Sequence, residues 1–290
     1  MTGLAQFAEL GPLGVFSLPF MWRALLTIVI LSLAAGMVGL FVSFRDLEFV
    51  SDGLVHAVFP GLVVGAALGG AAGVLPGALV AALVAAVLFT VLERRGGVDA
   101  DSAIAVVLTG LFSLGVVLVS RQESYVSQLQ ELLFGRLLTV TQAQLWQIAI
   151  VALLAVTVVA VTGRAQLFRA FDRVGAEAAG INVLRTDMAL SIAVALLVVA
   201  GVQALGVLMV IALTIVPMAV ARLITRRFAW LVPLAILTPL VAGVAGLVLA
   251  FDWSVRLDSS VSPGAVVVLL LVALYAVAVV WRLAAGRVKA

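Results

Sequence analysis

The chain has 290 residues, 65% of them hydrophobic and 11% charged, against a usual charged share of roughly 25% in soluble domains. It reads as an integral membrane protein: no polar stretch is long enough for a separate soluble unit, so residues 1–290 form a single transmembrane domain. The chain has no cysteine, which excludes disulfides and thiolate ligands, and no GxxxxGK(S/T) loop, which excludes a nucleotide site of that type.

Ahead of Pro19 the only charge is Glu9, so the start lacks the basic region of a secretory signal, and the apolar run to Phe44 is too long for a signal core. It is expected to be a spanning helix. Cuts at charged or Gly/Pro-rich breaks give nine apolar segments, 20–44, 53–70, 77–92, 101–120, 142–162, 186–203, 205–224, 229–250 and 263–281. Each is close to the ~20 residues that a bilayer core requires. The run 186–224 is almost continuous, so the expected fold is all-α, a polytopic membrane bundle of eight to nine transmembrane helices.

The second segment holds the only histidine, His56, four residues after Asp52. On a helix that spacing puts carboxylate and imidazole one turn apart on the same face. An aspartate in a spanning helix costs roughly 2.5–3.5 kcal/mol, and such residues usually face a bundle interior or a water-filled path. Metal ligation is one reading of the pair; a carboxylate that caps a helix start is the other. Nitrogen and oxygen ligands suit zinc, manganese or iron(II) better than copper(I), which prefers sulfur.

Gly61, Gly65 and Gly69 recur every four residues and predict close helix packing. Pro60 and Pro217 each remove a backbone donor and free the carbonyls of His56 and Leu213; such helix breaks can line an ion pathway or be ordinary kinks. Asp101, Ser113, Gln203 and Thr214 read as hydrogen-bond partners between helices, and Met209 and Met218 as packing. The stretch Leu167–Val183 interleaves Arg169, Asp172, Arg173 and Glu177 with Phe168, Phe171, Ala178 and Ala179, a pattern also shown by helices that lie on a membrane surface.

Thirteen of the seventeen basic residues fall in alternate loops: Arg45; Arg94 and Arg95; Arg164, Arg169, Arg173 and Arg185; Arg222, Arg226 and Arg227; Arg282, Arg287 and Lys289. The positive-inside rule places those loops in the cytoplasm. Nine crossings follow, with the N-terminus outside and the C-terminus inside.

Asp52-Gly-Leu-Val-His56-Ala-Val-Phe-Pro60-Gly61 resembles the D-x-x-S-H-x-x-x-P-G element of the permease subunits of ABC importers for zinc, manganese or iron(II). Val55 stands where that family usually has serine. Asp101-Ser-Ala-Ile104 and Ser113-Leu-Gly115 are similar to its fourth-helix signature, Leu133-Phe134-Gly135 to its external turn, Gln203-Ala-Leu-Gly206 and Pro217 to Arg222 to its late helices, and Ser262-Pro263-Gly264 to the start of its last.

The resemblance implies a bundle of the vitamin B12/siderophore type of importer permease, in a prokaryotic cell (inner) membrane. It implies transport rather than catalysis, with Asp52 and His56 handling the metal and no permanently bound cofactor; the cargo would be manganese or zinc ahead of iron. Phe171, Asp172, Glu177 and Gly180 would form the coupling segment to a cytoplasmic ATPase, with Phe171 as apolar anchor. Further implied partners are an extracytoplasmic metal-binding protein, a second permease copy and membrane lipid, but no nucleic acid. A permease for a siderophore or cobalamin chelate and an ion-coupled secondary carrier are the competing functions. An intramembrane hydrolase is disfavoured, because a single histidine cannot build an H-E-x-x-H zinc site.

Overall fold

The computed structural model describes residues 14–94, 100–120, 134–257 and 261–287, and all regular structure among them is helical. In chain order the helices are α1 (Pro19–Phe44), α2 (Glu48–Ala57), α3 (Phe59–Arg94), α4 (Ala100–Val119), α5 (Gln142–Phe171), α6 (Arg173–Ala178), α7 (Val183–Ile224), α8 (Phe228–Leu257) and α9 (Pro263–Arg287). Helices α1 and α7 form the buried centre, with α5, α8 and α9 packed around them and the α2–α4 group against α7.

A straight helix of 42 residues would be about 63 Å long, twice the thickness of a bilayer core. Helix α7 has that many residues but does not run straight. Gly206 adopts φ 77° and ψ 166°, a conformation open essentially only to glycine. A Cβ on Gly201 would lie 2.7 Å from Val210 Cγ2, although nine residues along a straight helix are about 13.5 Å apart. The chain therefore doubles back at Gly206 into two antiparallel arms, 183–205 and 207–224.

Helix α3 folds in the same way at Gly70, so that Gly65 lies against Gly73, and Gly61 against Gly77 and Ala81. Without side chains the two arms approach backbone to backbone, which compensates in lipid for the missing hydrophobic drive. The glycine stripe is thus a packing seam within one hairpin, as its spacing suggests; Gly69 alone has nothing near it.

Eight stretches among the described residues are long and apolar enough to cross a bilayer. Counting the arms of α7 separately gives nine. End-to-end contacts fit that count. Arg222 Nη1 in the last turns of α7 donates to Ser43 O and Oγ at the end of α1, and Arg282 Nη1 near the end of α9 donates to the Arg222 carbonyl. At the opposite end the Arg136 amide donates to the Ala204 carbonyl, and Gly264 packs against the Phe134 carbonyl. Arg45, Arg169, Arg222 and Arg282 therefore gather at one face of the bundle.

Candidate metal site and coupling surface

Asp46, at φ 53°, turns the chain from α1 into α2. Helix α2 starts at Glu48 with Leu47 before it, so Asp52 sits inside the helix and is not its N-cap. The helix stops because Pro60 has no N–H to offer the His56 carbonyl; after Val58 a new helix begins, with Pro60 in its first turn, where the missing donor costs nothing. The sequence-expected break at Pro60 is present.

Asp52 and His56 share one face of α2, with His56 Nε2 3.5 Å from Asp52 Oδ1. Their side chains are 31% and 22% exposed, so the pair is half-buried and open on one side. The ring of Phe112 on α4 meets the imidazole edge-on at 5.2 Å and 84°, and Phe59 packs behind Phe112 at 5.3 Å. His56 Nδ1 is buried with no hydrogen-bond partner among the described residues, so packing and Asp52 hold the ring rather than a second acceptor. No third carboxylate among the described residues joins the two into a larger cluster.

At the arginine-rich face α5 ends at Phe171, α6 follows at once, and α7 begins at Val183. Asp172 is the N-cap of α6, its Oδ1 accepting from the Gly175 amide at 2.8 Å. Arg173 Nε faces Glu177 Oε1 at 3.7 Å, one turn apart and exposed. Gly180, at φ +82°, ends the helix: its amide donates to the Glu177 carbonyl and that of Ile181 to the Ala176 carbonyl, the paired bonds of a Schellman cap. Phe171 is 74% exposed, and its ring touches Phe44 at 5.7 Å; Phe44 in turn stacks on Phe228 at 6.0 Å. An apolar side chain left bare beside a tightly capped turn can dock into a groove.

A family model described as the ABC 3 transport family matches residues 17–282. The chain belongs to this family. Among curated relatives of this ABC 3 family member, the manganese transport system membrane protein MntC of Listeria innocua is 28% identical over 91% of this chain and 93% of its own. The chelated iron transport system membrane protein YfeD of Yersinia pestis is 29% identical over 87% and 83%. Among solved structures, PsaBC from Streptococcus pneumoniae in complex with Fab superposes with a TM-score of 0.79 at 25% identity, covering 95% of both chains. The all-α importer-permease fold and the multi-pass membrane location follow.

Other expected residues are placed as follows in this ABC 3 family chain. Pro217 is buried within the second arm of α7, whose break falls at Gly206 instead. Pro60 borders an apolar groove between the α3 hairpin and α4. Thr214 Oγ1 bonds back to the Val210 and Ile211 carbonyls of its own helix rather than across to another, the usual local option of a threonine in a helix. Asp101 and Ser113 are exposed, whereas Met209 and Met218 are packed in the core. Leu133 lies outside the described residues.

Sequence reasoning missed Asp187. Its Oδ1 receives Arg45 Nη2 at 2.6 Å and Arg169 Nε at 3.0 Å, while Gln166 accepts from Arg45 Nη1 and donates to the Thr186 carbonyl. A signal was available: Asp187 is the only acid in the apolar 42-residue run of α7.

Proposed function

We propose that this chain is the transmembrane subunit of a binding-protein-dependent ABC importer, moving a divalent transition metal into a prokaryotic cell. The observation that carries the reading is the Asp52–His56 pair. Two ligands about 2.1 Å from a common ion stand roughly 3.0–3.4 Å apart, from octahedral to tetrahedral angles. The observed 3.5 Å asks for almost no movement to admit an ion between them. A two-ligand, one-sided site suits a cargo that must leave, and a second permease copy across a two-fold axis would double the ligand set. Manganese and zinc both fit imidazole with carboxylate; the manganese and iron systems among the relatives favour manganese.

Energy would come from a separate ATPase subunit. The arginine-rich face would be cytoplasmic, and α6 would be the coupling helix, with Phe171 as its anchor, Asp172 and Gly180 fixing its two ends and Glu177 on its exposed side. The break at Pro60 would border the ion's path, and an extracytoplasmic binding protein would deliver the ion at the opposite face. The test is ATP-driven 54Mn uptake by vesicles holding the permease with its ATPase: uptake should require ATP and His56. Uptake without ATPase would indicate a secondary carrier.

A further inference from the structure

The side chains of Arg45 and Asp187 are 1% and 4% exposed. Burying such a pair brings little net stability, because the desolvation of both charges offsets their attraction and apolar side chains of similar volume pack as well. Stability is therefore a weak reason for these charges to meet here. Their placement supplies another. Arg169 stands in the last turn of α5, two residues before Phe171, and Asp187 lies in the first turns of α7, so the two flank α6. Arg45 caps α1 and begins the three-residue connector to α2, the helix that carries Asp52 and His56.

We infer that Asp187 is a positioning residue for transport: its Oδ1 joins the corner that holds α6 to the connector that holds α2, so that a displacement of α6 reaches the Asp52–His56 pair. The inference rests on the coupling reading above. A single oxygen serves three elements, so none of them moves without straining a charge-assisted bond. Breaking the Arg45–Asp187 bond would leave an unpaired buried charge, which is costly. Gln166 ties α5 to both α1 and α7, which leaves movement of the corner as one body the easiest displacement. Asp187 touches no metal and acts through α2.

The test uses the full permease with its co-purifying ATPase in vesicles and Mn2+ as probe. The variant Arg45→Met/Arg169→Met/Asp187→Leu replaces the charges with apolar volume. It should assemble and bind Mn2+ as the parent does, while Mn2+ uptake per ATP hydrolysed falls about tenfold, a loss within the usual range of coupling between sites. Parental uptake per ATP overturns the inference.

A second measurement covers the case in which the triple variant does not fold. In the cysteine-free chain, spin labels at Val174→Cys and Leu269→Cys report movement of α6 against the bundle, and labels at Phe49→Cys and Leu269→Cys report movement of α2. A non-hydrolysable ATP analogue should shift both distances in the parent. In Asp187→Asn, which keeps shape and an acceptor oxygen, the α6 distance should still shift and the α2 distance should not. A full α2 shift in Asp187→Asn overturns the joint. If α6 ignores nucleotide in the parent, the coupling reading fails first and takes the inference with it.

Discussion

Gly61 and Gly77 lie back to back across the α3 hairpin, so close that a methyl group on either would overlap the carbonyl oxygen of the other. Neither arm can retreat without opening the seam that Gly65 and Gly73 continue. Gly77→Leu should therefore destabilise the protein by about 1–3 kcal/mol, the range for overpacking. Gly69→Ala, in open space four residues further along the stripe, should be near neutral. Thermal unfolding in detergent compares the two, and equal melting temperatures would mean that the hairpin is not packed as described.

His56→Ala removes the only imidazole without adding charge. Metal uptake should fall at least about tenfold, as losses at ligand shells commonly do, with membrane insertion and ATPase association intact. Asp52→Asn should also impair uptake. The double variant should lose no more than the worse single one, because contacting residues that act as a unit are not additive. Parental uptake by a well-expressed His56→Ala protein would remove His56 from the path.

At the proposed coupling surface, Phe171→Ala deletes exposed apolar area and should weaken co-purification of the ATPase while leaving metal binding to the isolated permease unchanged. Gly180→Arg attacks the same surface differently. The space around Gly180 is open, so the damage comes from φ +82°, which costs a non-glycine residue about 1–2 kcal/mol, and from bulk and charge placed where a partner would dock. Normal assembly and uptake in both variants would move the contact elsewhere.

The spanning segments were legible because hydropathy reports lipid contact directly, and the Asp52–His56 pair because helical spacing projects i and i+4 onto one face. The break before Pro60 was legible for the same local reason. The reversal at Gly206 was legible only as the cut between 186–203 and 205–224: the turn is so tight that it leaves no polar loop, and hydropathy alone sees an almost continuous run over 186–224. Pro217 drew attention as the conspicuous residue, yet its arm stays helical. The Arg45–Asp187 bond spans 142 residues. Counting Arg45 and Arg169 as loop charges hid it, since topology rules use the sign of a charge and ignore its partner.

Topology carries the direction of transport, and single cysteines in this cysteine-free chain test it by impermeant thiol labelling of intact cells. Thr139 is exposed at the face where Arg136 meets Ala204, and Val174 is 77% exposed on α6 at the arginine-rich face. Ala176, in the last turn of α6, is fully buried and would label poorly on either side. Thr139→Cys should react from outside, and Val174→Cys only after permeabilisation, because the basic face belongs in the cytoplasm. Nine crossings also require Thr2→Cys to react from outside. If Thr2→Cys is protected while the other two behave as stated, one of the four segments between Thr2 and Thr139 does not cross the membrane and the count drops to eight. If Val174→Cys labels in intact cells, α6 faces away from any cytoplasmic ATPase, and the importer reading falls with it.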